Sequence, residues 1–150
     1  MIFKKYSNFK YNLLSKLKFL FEKDLVWYEK VLISYRLIIL LTLVVRKKKN
    51  YYFYGYFGKE TFKVYLDTLR AGYGSRGYFL SRNKQEPFLQ FGDKFLNKGD
   101  IVIDGGANQG IFSLSFKSKI KDEGKVISIE PFKYAVNKLR KNFLLNNFKN

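Results

Sequence analysis

The sequence has neither cysteine nor histidine in its 150 residues. That removes thiol nucleophiles, imidazole general bases, thiolate zinc centres and Ser-His-Asp triads from the functions open to it, so no metal site is expected. Disulfides are excluded as well, which suits a reducing compartment. Acidic residues are scarce: 12 Asp and Glu stand against 29 Lys and Arg, a formal charge of +17. Long hydrophobic runs are missing too. From Leu37 to Val45 only Thr42 interrupts aliphatic residues, and the run reaches back to Val31 only across Ser34, Tyr35 and Arg36. A bilayer span takes about 20 predominantly apolar residues, so this stretch falls short. What is present is ample core material, 47% hydrophobic and 19% aromatic, which argues against disorder. The length fits one domain.

A charge of +17 invites polyanion binding, since clustered Lys and Arg raise a positive potential. Lysine, however, supplies 23 of the 29 basic residues, and Lys, Asn, Phe, Tyr and Ile together make up 72 of the 150. These are residues that A- and T-rich codons favour, so much of the charge reads as genome composition. The excess is greatest in residues 1–50, +9, against +3 in residues 51–100 and +5 in residues 101–150. Arg forks, on which base and phosphate recognition leans, are few. A solvated or membrane-facing basic surface is therefore favoured over a nucleic-acid site.

Three segments follow from the pattern. Residues 1–50 read as a basic helical N-terminal segment, with Leu13, Leu14, Leu17, Leu20 and Phe21 at helical spacing among lysines. The run ending at Val45, flanked by Arg46-Lys47-Lys48-Lys49, reads as a helix packed on its own domain or on a partner subunit, with interfacial contact on anionic lipid as the alternative. Residues 1–9 lack the apolar core and cleavage site of a targeting peptide, so a cytoplasmic location is expected, with peripheral membrane contact left open. Residues 51–97 read as a β-hairpin and lead-in. Phe62, Val64 and Leu66 alternate with polar residues, and Gly58-Lys59 supplies the turn. Packing is favoured there over base stacking. Gly72-Tyr73-Gly74-Ser75-Arg76-Gly77 satisfies G-x-G-x-x-G but lacks a buried strand before it and an amphipathic helix after it, so it reads as a flexible loop. Tyr78-Phe79-Leu80 reads as a short strand, and residues 87–95 as a helix or turn.

Residues 98–150 carry the chemistry. Ile101-Val102-Ile103 has the pattern of a parallel strand buried on both faces. It runs into Asp104-Gly105-Gly106-Ala107-Asn108-Gln109-Gly110. A helix follows with Phe112, Phe116 and Ile120 on one side and Lys117, Lys119 and Lys121 facing outward. A second strand, Val126 to Ile129, ends in Glu130-Pro131, and another helix carries Ala135, Val136, Leu139 and Phe143. The order is that of an α/β unit whose ligands bind at the carboxyl ends of the strands. Gly105, Gly106 and Ala107 let a ligand approach the main chain, and amides at the start of the next helix are expected to point outward as donors. Glu130 is placed to accept hydrogen bonds from vicinal ribose hydroxyls. Asp104 suits either an ammonium group or the buttressing of the loop, and Asn108 either fixes the loop or reaches a ligand carboxylate.

Two nucleotide classes fit. Gly105-x-Ala107-x-x-Gly110, with Glu130 20 residues beyond Gly110, is a degraded dinucleotide fingerprint for NAD. Asp104 would crowd a pyrophosphate, whereas S-adenosylmethionine presents an ammonium and a sulfonium. Charge therefore favours the methyl donor.

The string from Gly99 to Gly110 resembles the first motif, D-x-G-A-N-x-G, of the FkbM family of S-adenosylmethionine-dependent methyltransferases. Val126 to Pro131, then Leu139, Asn142 and Asn146-Asn147, are similar to its second motif and helix. The similarity covers about residues 86–150. It implies a Rossmann-like methyltransferase fold, incomplete here, preceded by the helical segment and the hairpin. The implied activity is O-methylation of a sugar, glycan or small metabolite. By the same resemblance Asp104, Gly106, Asn108 and Gly110 line the methionine end of the cofactor, Glu130 holds the ribose, and Glu86 supplies an upstream acidic contact. The family's sheet has seven strands, and this sequence ends where the third is due, so it reads as the N-terminal part of such an enzyme. The adenine contact, acceptor pocket and catalytic base are not assigned.

Overall fold

The computed structural model describes residues 26–46, 51–67, 74–81, 88–89 and 92–148. The remainder of residues 1–50, Gly72-Tyr73 of the G-x-G-x-x-G string and Glu86 lie outside the described residues. The first element is helix α1, Trp27–Val45. At its start the Val26 amide donates to Glu29 Oε2 at 3.2 Å, and this first-turn carboxylate also complements the helix dipole. α1 buries Arg36, Leu37 and Leu40 and leaves Trp27, Val31, Tyr35 and Ile38 exposed along another side. Among the described residues no helix is long and apolar enough to cross a membrane.

Strands β1 (Tyr52–Phe57) and β2 (Glu60–Tyr65) form an antiparallel hairpin through the two-residue turn Gly58-Lys59. Alternation is clean: Phe53 and Phe57 on β1 and Phe62 and Val64 on β2 are buried, while Tyr52, Tyr54 and Tyr56 face outward. The aromatic side chains of the inner face are core. Phe57 packs edge-on against Phe116 at 6.1 Å, and Phe53 against Phe79 at 5.0 Å.

Helix α2 (Ser75–Ser81) replaces two expectations at once, the loop through Gly77 and the strand over Tyr78 to Leu80. Its position decides the matter. Tyr78, Phe79 and Leu80 are all buried, which three successive residues of a strand with one exposed face would not be. The Arg36 guanidinium donates to the Leu80 carbonyl at 3.2 Å, closing the end of the helix. The Tyr78 hydroxyl accepts from the Tyr56 amide at 3.2 Å, pinning the helix to the hairpin. A 3₁₀ turn follows at Gly92–Lys94, within the stretch read as helix or turn.

β3 (Ile101–Gly105), α3 (Ile111–Ile120), β4 (Lys125–Ile129) and α4 (Lys133–Leu145) complete a mixed α/β chain. β3 and β4 pair in parallel, Asp104 opposite Ser128 and Gly105 opposite Ile129, with α3 as the crossover. α3 lies between the two sheets and is buried along most of its length; small Ser113, Ser115 and Ser118 stand where neighbours approach closely. The parallel pair is covered on one face only. Ile101 is 73% and Ile103 66% exposed, and Ile127 and Ile129 share that face, so the expectation of a strand buried on both sides is corrected. Lys117 is also corrected. It is buried, its ammonium donating to the carbonyls of Lys121 at 2.9 Å and Gly124 at 3.1 Å, where it satisfies and electrostatically complements the C-terminus of α3.

Candidate functional site

The glycine loop leaves β3 at its carboxyl end and returns as the first turn of α3. The loop turns through left-handed backbone at Gly106 (φ 75°), Asn108 (φ 49°) and Gly110 (φ 86°). The two glycines answer different demands. A Cβ on Gly110 would stand 2.9 Å from Leu139 Cγ, so this residue lets α3 begin against α4. A Cβ on Gly106 would meet nothing within 4 Å, and the same is true of Gly105. Open space therefore fronts the two glycines at the strand tip.

Most amides of the loop itself are turned inward. Gly106 and Ala107 both donate to the Ile129 carbonyl, at 2.9 and 3.0 Å, and Gly110 donates to Ala107 at 2.8 Å. The Asn108 amide donates to Glu130 Oε2 at 2.8 Å, while Glu130 Oε1 accepts from the Phe132 amide at 2.8 Å. Glu130 thus ties the loop after β3 to the start of α4. α3 begins after Gly110, which gives no side-chain cap, but the Ser113 amide of its first turn is taken by Asp104, so the expected outward donors at the start of this helix are narrowed to Ile111 and Phe112.

Asp104 is buried, and its Oδ2 accepts from Ser113 Oγ at 2.5 Å. Ser113 Oγ lies 2.8 Å from Ser128 Oγ, which links β3, α3 and β4. Of the two roles left open for Asp104, this geometry is that of a buttress. Burial pushes its carboxyl above the usual carboxylate range, against the opposing pull of the Ser113 hydrogen bonds. Ala107 is buried beneath the loop and Asn108 is exposed above it.

Several residues contribute through contacts that the sequence pattern did not indicate. Ser113 has one only in retrospect, a polar residue within the otherwise apolar start of α3. Gln109 is buried, its carbonyl accepting from Asn142 Nδ2 at 2.8 Å and its Oε1 from the Ser75 amide at 3.4 Å. Asn142 Oδ1 also accepts from the Tyr65 amide at 2.8 Å, and one turn on Asn146 brackets Lys63, accepting from its amide at 2.6 Å and donating to its carbonyl at 2.7 Å. The asparagines that carry the resemblance therefore bind the outer edge of β2.

A cavity of about 830 Å³ runs along β4 and α4, lined in part by Val126, Ser128, Glu130, Leu139 and Phe143. It reaches Glu130 but not Gly106 or Asn108. Among the described residues no cluster of acidic side chains could hold a metal ion. No family model, no curated protein and no solved structure matches this chain.

Proposed function

We propose that this chain carries the cofactor-binding part of an FkbM-like, S-adenosylmethionine-dependent methyltransferase with a Rossmann-like fold. The observation that carries the reading is the open space in front of Gly105 and Gly106, at the end of a parallel strand and beside the first turn of α3. A ligand can reach the backbone there, as binding at the carboxyl edge of an α/β sheet requires. Glu130 supports it from the tip of β4: each carboxylate oxygen accepts one amide and retains capacity for a ribose hydroxyl. Exposed Asn108 is in reach of a ligand's polar atoms. S-adenosylmethionine would supply an electrophilic methyl group; the loop binds and orients it, while buried Asp104 holds the loop to α3. The acceptor on this reading is an oxygen of a sugar, glycan or small metabolite, and the setting is cytoplasmic. Isothermal titration calorimetry with S-adenosylhomocysteine and NAD, side by side on the full chain, tests the choice of nucleotide. Binding of S-adenosylhomocysteine is expected. Binding of NAD alone overturns the reading in favour of a nicotinamide enzyme.

One observation favours a second, non-enzymatic reading. Trp27, Val31, Tyr35 and Ile38 form an exposed apolar stripe on α1 within the most basic third of the sequence, which suits a contact with an anionic bilayer surface. Flotation with anionic vesicles should then fall when Trp27 and Val31 are replaced by serine; unchanged flotation removes this reading.

A further inference from the structure

Arg76 holds two buried donors that no described residue satisfies. The residue is 8% exposed, and its Nε and Nη2 atoms are both buried without a hydrogen-bond partner. These two donors lie on one edge of the guanidinium, the pair that grips a carboxylate with two parallel hydrogen bonds. Buried donors left unmade cost stability, and an apolar side chain of similar volume would pack without that cost. The placement of this arginine therefore asks for a partner that none of the described residues provides.

Its surroundings identify the partner's chemistry. Arg76 is the second residue of α2, and the amide just before it, that of Ser75, donates to Gln109 in the glycine loop. Gly74 approaches the same side chain so closely that a Cβ would stand 3.1 Å from Gln109 Nε2. On the other side Asp67 accepts from the Tyr134 hydroxyl and lies 3.5 Å from Lys138 Nζ. Asp67 thus lends negative charge to Arg76 as well as to Lys138, yet it places no acceptor on Arg76 Nε or Nη2. Two donors on one guanidinium edge match the two oxygens of a single carboxylate. Burial draws the Arg76 guanidinium below its ordinary value, while Asp67 and Tyr134 pull the other way.

We infer that Arg76 is a carboxylate-binding residue, its Nε and Nη2 donors taking the two oxygens of an α-amino-acid carboxylate held beside the Gly105–Gly110 loop. The inference rests on the methyl-donor reading and assigns that ligand's carboxylate to a residue outside the glycine motif. It is tested by calorimetry on the full chain and its Arg76→Gln variant with two probes. S-adenosylhomocysteine carries the amino-acid carboxylate; 5′-methylthioadenosine shares the nucleoside and sulfur and lacks the amino-acid group. Arg76→Gln should weaken S-adenosylhomocysteine roughly 10- to 100-fold, the worth of a lost charge-assisted pair, and leave 5′-methylthioadenosine within about twofold. Equal binding of S-adenosylhomocysteine by both proteins overturns the inference and leaves the methyl-donor reading standing. If the native chain binds neither probe, the methyl-donor reading falls and takes the inference with it. Thermal melting of the ligand-free Arg76→Met variant separates a binding role from a structural one. A melting temperature equal to or above the native value is expected; a lower one, or loss of both probes by Arg76→Gln, makes Arg76 structural and overturns the inference.

Discussion

The hairpin β1–β2 and the parallel pair β3–β4 pack on opposite sides of the same helix, α3, and are closed to different extents. The hairpin buries its inner face, and the outward backbone groups of β2 are taken up by Asn142 and Asn146. An edge paired in this way offers little to another strand. The parallel pair buries only the face toward α3, leaves four isoleucines bare on the other, and ends in a loop with open space before Gly105 and Gly106. Cohesion is thus concentrated between hairpin, α3 and α4, while the surfaces available for binding belong to the parallel pair. Changes on the closed side should cost stability, and changes on the open side should cost binding or nothing.

The sharpest contrast sets Phe57 against Ile103. Phe57 is fully buried against Phe116, and Phe57→Ala should lower unfolding free energy by about 3–5 kcal/mol in urea denaturation. Ile103→Ala on the bare face should stay within about 0.5 kcal/mol. A large loss at Ile103 would mean that this face is covered in solution and would break the comparison.

Next in size is the pair of loop glycines. Gly110→Ala meets Leu139 and forces alanine into left-handed backbone, so a loss of about 2–4 kcal/mol is expected. Gly106→Ala incurs the backbone penalty alone, about 1 kcal/mol, while its methyl group occupies the open space. Chemical denaturation and nucleotide titration, run together, should therefore separate the two: Gly110→Ala fails to hold the fold, and Gly106→Ala folds but loses S-adenosylhomocysteine. A Gly106→Ala chain that binds normally would move the ligand away from the loop.

Asn142→Ala should cost about 2 kcal/mol, since it strips a buried partner from the Tyr65 amide and the Gln109 carbonyl together. Hydrogen exchange gives the more specific readout. Protection of the Tyr65 amide should fall, whereas the amides paired between β3 and β4 should keep theirs.

How much of this was legible from the residues divides along physical lines. The hairpin was, because alternation at Phe62, Val64 and Leu66 around Gly58-Lys59 is a local signal. So were β3, β4 and the loop between β3 and α3, where aliphatic runs meet glycines. The bare face of the parallel pair was not: Ile101-Val102-Ile103 reads the same whether its outer face is covered or open, since coverage belongs to what packs against it. Nor was α2. A three-residue apolar run has no period of its own, and the contacts from Arg36 and Tyr56 that hold Tyr78 to Leu80 come from distant segments. At the site the residue types were legible and their partners were not. The carboxylate of Glu130 and the serine under Asp104 bind across the chain, at separations of 22 and 9 residues that no local pattern encodes.

The smallest expected effect bears on the seam between the two sides, where Asp104 at the tip of β3 accepts from Ser113 on α3. Its carboxyl is raised above the ordinary value of 3.8 by burial, so the folded chain holds the proton more tightly than the unfolded chain does. The stability this contributes is fully present below 3.8 and is lost as pH rises through the folded value. Asp104→Asn keeps an acceptor for Ser113 without the buried charge. The variant should therefore gain on the native chain as pH is raised from below 3.8 toward neutrality, read as a widening gap between their urea midpoints. A gap that does not change with pH, or that narrows, would mean that the carboxylate is solvated. Asp104 would then belong to the open side of the molecule, with the loop, and would be free to meet a ligand's ammonium group instead of bracing α3.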